Sequence, residues 1–227
     1  MTMETGSTVG SLEEMLALYD ETGTEPPKWL VDRLRGGRTA VDPSELMRMA
    51  MECGVPSKYA GVLPDGSRNA SMREGTSYYV FGTSGDGKTT RAAELFKGWI
   101  AAGGTAVWVA SLDLLSELRD TYGGGGREMD VIRRYTGCGL LVIDDLGKGT
   151  FGRWAVSKLF QVLDARYSAK RTEHSEARPT IITSQYGVGD LARVMGTDDP
   201  QAAQAIASRI HETYRPIDCG PTDRRLG

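Results

Sequence analysis

Three cysteines and two histidines are all that the 227-residue chain holds of those residue types. Cys53, Cys138 and Cys219 are scattered, odd in number and lack a C-x-x-C pair. That excludes a disulfide framework and leaves them as small buried hydrophobes of a reducing compartment. With His174 and His211 as the only imidazoles, a zinc site lacks its ligands. Positive charge is not in excess: 27 Lys and Arg face 30 Asp and Glu, for a net charge of −3. A chain so balanced is not built for unspecific adhesion to DNA, and any nucleic-acid contact must be local. No segment approaches the ~20 apolar residues needed to span a bilayer. Met1 to Gly10 has neither a basic region nor an apolar run, so no signal peptide and a cytoplasmic location are expected, with no membrane partner.

What remains is an ordinary globular composition, 40% hydrophobic and 25% charged. Its length suits one large or two small domains with ample core. The most informative stretch is Tyr78-Tyr79-Val80-Phe81 followed by Gly82-Thr83-Ser84-Gly85-Asp86-Gly87-Lys88-Thr89-Thr90. β-favouring residues run into a glycine-rich turn that opens a helix, in the G-x-x-x-x-G-K-T spacing of a phosphate loop. Glycines let successive N–H groups face phosphates, and the new helix adds its positive end. In this reading Gly82 to Thr90 bind ATP or ADP, Lys88 reaches the β- and γ-phosphates, and Thr89 holds Mg²⁺. A merely glycine-rich turn is the bland alternative, and the strand before and helix after speak against it.

Residues 1–53 read as a small helical domain. Ser11-Leu12-Glu13-Glu14 opens one helix, Pro27 a second, and Asp42-Pro43-Ser44-Glu45 a third. In the third, Leu46, Met49, Ala50 and Cys53 share one face, and the methionines at 47, 49 and 51 read as core, with an adaptable binding surface as the alternative. Up to residue 70 there are eleven acidic and seven basic residues, which points to a protein partner rather than DNA. Residues 54–76 are rich in turn formers and read as a linker. From 77 to 227 strands and helices alternate. Strands are expected at 77–82, 105–110, 139–144, 179–184 and 214–219. Helices are expected at 88–102, from a Ser111 cap, at 127–135, 153–170, 188–195 and 200–211, with a mobile loop at Gly123–Gly126. Continuous apolar strands separated by helices predict a three-layer α/β domain around a parallel sheet buried on both faces.

The second half of a nucleotide site lies in Leu140-Leu141-Val142-Ile143-Asp144-Asp145. Four apolar residues end in two carboxylates at the C-terminal edge of a strand, where parallel sheets bind ligands. Asp144 is the candidate for Mg²⁺ and Asp145 for polarising the attacking water. A strand that simply ends in solvated acids is the alternative.

The phosphate loop, Leu-Leu-Val-Ile-Asp-Asp-Leu-Gly at 140–147, Trp154 to Tyr167 and Pro179 to Ser184 together resemble the DnaC/IstB branch of the AAA+ ATPases. Gly54-Val55-Pro56-Ser57-Lys58-Tyr59, Ala207-Ser208-Arg209-Ile210 and Asp223-Arg224-Arg225 are similar to segments of the same group. The resemblance spans roughly 54–227 and implies a P-loop AAA+ core with strand order 5-1-4-3-2. It further implies that strand 180–184 lies between the two motif strands, with Gln185 as sensor 1 in place of the usual Asn. Arg209 matches the arginine finger that acts on a neighbouring subunit, worth roughly 10³–10⁵ in rate. Some fifteen residues after the Arg209 helix leave no room for a helical lid, so Arg224 or Arg225 would substitute for its arginine. Lys148, Arg153 and Arg127 become candidate DNA-phosphate contacts, with ordinary solvated cations as the alternative, and Arg166 is either at an interface or solvated.

The implied activity is that of an ATP-dependent helicase loader, a Mg²⁺-dependent ATPase weak on its own. It would grip a replicative helicase, assemble into a ring or spiral with ATP, and contact single-stranded DNA. A transposition helper ATPase is the close alternative. A small-molecule P-loop kinase and a non-hydrolysing nucleotide-gated adaptor are the alternatives of other classes.

Overall fold

Five strands of five residues each form one all-parallel sheet, β1 Ser77–Phe81, β2 Ala106–Ala110, β3 Leu140–Asp144, β4 Thr180–Ser184 and β5 Tyr214–Asp218. The computed structural model describes residues 41–123, 127–169 and 178–220. The sheet order is β2-β3-β4-β1-β5, which is the expected 5-1-4-3-2 read from the other edge. β4 therefore lies between β1 and β3, Val80 beside Thr183 and Ile143 beside Ile182. β5 forms one outer edge, and its exposed Pro216 is tolerated there because an edge strand has one row of N–H groups without sheet partners.

The apolar runs divide by parity. Tyr78, Val80, Leu140, Val142 and Ile181 face one layer, while Tyr79, Leu141, Ile143 and Ile182 face the other. On the first face pack α1 Pro43–Glu52 and the long α4 Lys88–Ala101, with the short α2 Ser57–Ala60 and α3 Asn69–Arg73 beside them. The second face carries α5 Ser111–Asp120, α6 Glu128–Gly137, α7 Arg153–Ala169, α8 Val188–Met195 and α9 Pro200–Thr213. Three layers result, and every described strand and helix from β1 onward lies within two residues of its expected span. One local reading changes. Ser111 does not cap α5 through its side chain; its hydroxyl donates to the Asp145 carbonyl at 3.1 Å.

The division at residue 53 does not coincide with a break in packing. α1 forms as expected, with the Asp42 carboxylate accepting from Ser44 and Glu45 N–H at 3.0 and 3.1 Å. Its buried Leu46 and Ala50, with Val55 and Met72, enter the same cluster as Phe96, Trp99 and Trp108. The Cys53 carbonyl accepts the Trp108 N–H at 2.8 Å, so the chain covers the open edge of β2. Residues 41–76 thus pack as part of the layer against α4. The two earlier helices, and with them residues 1–40 of the proposed N-terminal domain, lie outside the described residues, as do Asp223–Arg225 and most of the glycine run. Met47 and Met51 are exposed rather than core, because they sit on the side of α1 away from α4.

Between α2 and α3 the chain runs tightly along α4. Lys97, 4% exposed, donates to the carbonyls of Ala60 and Val62, both at 2.6 Å. Gly98 sits mid-helix because a Cβ there would stand 2.1 Å from the Asp65 carbonyl oxygen. That contact explains a residue whose helix propensity is about 1 kcal/mol worse than alanine.

Arg166 on α7 is neither solvated nor at a surface; it is 2% exposed. Its guanidinium donates to Tyr135 O and Cys138 O at 2.9 Å, Pro179 O at 2.7 Å, Gly139 O at 3.2 Å and Thr180 Oγ1 at 2.8 Å. One side chain so ties the end of α6 to the starts of β3 and β4. No carboxylate is among these acceptors; a ring of carbonyl dipoles carries the charge. Arg166→Met keeps the stem but orphans those acceptors, each worth roughly 1–3 kcal/mol when left buried and unpaired. The variant is expected to lose about 3 kcal/mol or more in urea unfolding, and a midpoint within error of the parent contradicts the pin.

Candidate nucleotide-binding site

β1 delivers the chain into residues 82–87, and α4 starts at Lys88. Gly82, Gly85 and Gly87 have φ of +151°, +101° and +83°, so the turn needs residues without a Cβ at three of its six positions. Asp86 is almost fully buried, and its Oδ2 accepts the Thr83 hydroxyl at 2.9 Å, which braces the loop from within. Its Oδ1 is a buried oxygen with no partner among the described residues. Lys88, 7% exposed, bends back over the loop and donates to the Thr83 carbonyl at 2.6 Å. Thr83, Ser84 and Thr90 complete the stretch, Thr90 in the first turn of α4.

β3 brings its paired carboxylates to the same end of the sheet. Asp144 is buried, and its Oδ1 accepts hydrogen bonds from the Thr183 hydroxyl and, at 3.2 Å, from the Thr89 hydroxyl. The two residues that the sequence assigns to a metal are therefore neighbours, one from each motif. Burial pushes the Asp144 carboxyl up and the Thr183 hydroxyl pulls it back; the Asp145 charge adds a second upward push. The donor set, one carboxylate and one hydroxyl, is hard and oxygen-only, and no cluster of three acidic, His or Cys side chains exists among the described residues. That fits Mg²⁺, which takes one or two protein oxygens and fills its shell with phosphate and water.

Asp145 points elsewhere because its backbone does. Its φ is +56°, the one left-handed non-glycine among the described residues. The Asp145 N–H donates to Thr183 Oγ1 at 2.9 Å, and its carbonyl accepts from Ser111 Oγ. Its carboxylate pairs with Lys148 Nζ at 3.0 Å. Ser84, Lys88, Asp145, Leu146, Lys148 and Gln185 line one cavity of about 120 Å³. The exit residue of β4, Gln185, is thus beside the phosphate loop and the paired carboxylates.

Arg209 is not part of that cavity. Its Nη2 and Nε donate to Asp164 Oδ1 at 2.7 and 3.1 Å, and its guanidinium lies 4.2 Å from the centre of the Tyr167 ring. Arg127 precedes α6 and Arg153 begins α7, both exposed. Lys148 instead sits at the cavity, a place the sequence reading did not give it. Thr183 and Ser184 are the other side chains that reading passed over. Ser184 Oγ donates to the Leu146 carbonyl at 2.6 Å. The available signal was an apolar strand ending in two hydroxyls level with the two aspartates.

Comparison with known proteins agrees with this geometry. The family model for the IstB-like ATP binding protein matches residues 71–222. The replicative helicase loader DnaC of Escherichia coli (strain K12) is 25% identical over 121 residues, 53% of this chain and 46% of that protein. The chain thus aligns with a little under half the length of that relative. Among solved structures, the DnaC helicase loader superposes with a TM-score of 0.56 at 20% identity, covering 72% of this chain and 99% of the other. DnaI gives 0.57 at 21%, covering 75% and 95%. The replication initiator DnaA bound to AMPPCP and single-stranded DNA gives 0.54 at 15%, covering 73% and 50%. At such identities the structures speak for the shared fold, while the family model spans more than half of the chain. With its glycine-rich loop and paired aspartates at one end of the sheet, the chain belongs to the IstB-like ATP-binding family.

Proposed function

We propose that the protein binds ATP with Mg²⁺, hydrolyses it, and uses the cycle to place a replicative helicase on single-stranded DNA. The observation that carries the chemistry is the 3.2 Å contact between Thr89 and Asp144, with Asp145 and Lys88 on one cavity beside it. Lys88 exchanges the Thr83 carbonyl for phosphate oxygens and offsets their charge. Thr89 and Asp144 would hold Mg²⁺, which when bound would supply electrostatic stabilisation of the phosphates. Asp145 orients a water and accepts its proton. The water oxygen forms the new bond to phosphorus, the bridging oxygen leaves with its electron pair on ADP, and phosphate is released. Gln185 orients the same water through its amide.

The loader role rests on the likeness to DnaC, together with the acidic balance of the N-terminal residues. Residues before 41 are assigned the helicase grip, since 41–53 already pack on α4. Self-assembly with ATP would bring Arg209 to a neighbouring subunit's phosphate after it leaves Asp164. The IstB-like family match favours a transposition helper as the second reading. Incubated with ATP, the full chain is expected to co-elute with a hexameric replicative helicase and not with duplex DNA alone. The reverse result selects the helper.

Lys88→Ala is expected to abolish nucleotide binding in a fluorescence titration. Asp145→Asn is expected to spare binding and lower turnover by about 10²–10⁴-fold, the usual worth of a positioned base. If both variants hydrolyse ATP at the parent rate, the site is misassigned.

Asp144 supplies a test that does not need turnover. Its carboxyl is raised by burial, so the folded chain still holds a proton at pH values where the unfolded chain has released it. Stability therefore falls as pH rises through that window and stays lowered at neutral pH. Asp144→Asn removes the buried charge and keeps an acceptor for the two hydroxyls. Its melting temperature at pH 7 without nucleotide is expected to rise, by about 2–4 °C per kcal/mol recovered. Mg²⁺ dependence of ATP binding is lost in the same variant. A lower melting temperature contradicts the burial cost.

A further inference from the structure

The turn after β3 contains three left-handed residues in five, Asp145 at +56°, Gly147 at +93° and Gly149 at +94°. It curls so far that the Lys148 N–H returns to the Asp145 carbonyl at 3.2 Å and the Lys148 amine to the Asp145 carboxylate at 3.0 Å. The turn itself is fixed. A Cβ on Gly147 would stand 2.8 Å from Leu191 Cδ1 and 2.9 Å from Tyr186 Cδ2, so the backbone is pressed against the exit of β4 and the start of α8. Leu146 N–H is held by the Thr183 carbonyl at 2.8 Å. The lysine side chain is the opposite case, 68% exposed on a flexible stem with rotatable donors.

Lys148 lines the cavity that Lys88 and Ser84 line from the phosphate loop. Two lysines thus border one space of phosphate size, which the Asp145 carboxylate, paired with Lys148, also lines. We infer that Lys148 is a contact for the terminal phosphate of a bound nucleoside triphosphate, and that it releases Asp145 to make it. The inference rests on the nucleotide reading above and assigns Lys148 to that ligand rather than to DNA. An exposed one-to-one ion pair is weak because water screens it and both side chains lose freedom. A terminal phosphate carries about two negative charges and three acceptor oxygens, so it outcompetes a single solvated carboxylate. A diphosphate ends short of this position and leaves the pair intact. The same exchange frees Asp145 to accept a proton, so the base is uncovered only when there is a bond to cleave.

The test is competition against a fluorescent ADP in the full chain with Mg²⁺, using ADP and the β,γ-methylene analogue AMPPCP. Lys148→Ala is expected to weaken AMPPCP by about tenfold or more, the scale of one charge-assisted hydrogen bond, and to leave ADP nearly unchanged. Lys148→Arg, which keeps the cation, retains most of the preference for AMPPCP. An unchanged ratio of the two affinities in Lys148→Ala overturns the inference. Faster ATP hydrolysis at an unchanged ratio overturns it in favour of a simple restraint on Asp145. Weaker single-stranded DNA binding at an unchanged ratio overturns it in favour of a DNA contact. A parent chain that binds neither nucleotide removes the nucleotide reading and this inference with it.

Discussion

The Thr183 hydroxyl accepts the N–H of Asp145 and donates to the carboxylate of Asp144, and the site depends on that one oxygen. Asp144 needs a donor because it is a buried acid whose charge would otherwise be uncompensated. Asp145 needs an acceptor because its left-handed backbone takes its N–H out of the β3 ladder. A single side chain on the adjacent strand meets both needs only if β4 lies directly beside β3. Strand order is therefore a chemical requirement here. With β1 in the place of β4, the Asp145 N–H would lose its acceptor and Asp144 would keep only the Thr89 hydroxyl.

The opposite end of the same two strands is fixed by Arg166, which takes up carbonyls from the end of α6, Gly139 and Pro179 together with the Thr180 hydroxyl. β3 and β4 are thus pinned at entry by a cation and at exit by hydroxyls, with only apolar side chains between. Rigid strands hold the carboxylates, while the exchangeable groups sit on loops and long side chains. This division suits a switch, since positions of the acids persist while cations move.

Most of the scaffold was legible because parity and punctuation agree in this sequence. β1, β3 and β4 are apolar runs that end in glycine, paired acids or hydroxyls, and each boundary is a chemical change. That the glycine-rich loop and the paired aspartates meet at one end of the sheet was readable for the same reason, since the expected spacing puts each just after a strand. What escaped is set by contacts between distant segments. Cys53 reaching Trp108, Lys97 reaching Ala60 and Gly98 meeting Asp65 draw residues 41–76 onto α4. Turn formers at 54–76 look like a joint because a chain that follows a helix surface also bends often. Arg166 reads as an interface or solvated residue in sequence, since nothing near it in the chain announces the carbonyls that surround it. Lys148 was legible as a cation but not as a neighbour of Asp145, because a positive φ at a non-glycine residue leaves no mark on composition.

The cations assigned to chemistry share one condition. Lys88 is held by the Thr83 carbonyl, Lys148 by Asp145, and Arg209 by Asp164 and the Tyr167 ring. Each has an acceptor within its own chain that is a weaker partner than a phosphate. On the proposed reading nucleotide binding would exchange contacts already made rather than recruit cations that have none. Lys88, buried and already held by the Thr83 carbonyl, is positioned beforehand, which would limit the ordering cost of a short move to phosphate. Arg209 differs because the exchange proposed for it would take it away from Asp164 and Tyr167 toward another molecule. On the proposed reading the two lysines would sense how many phosphates are present, and Arg209, held on Asp164, would sense a neighbouring subunit.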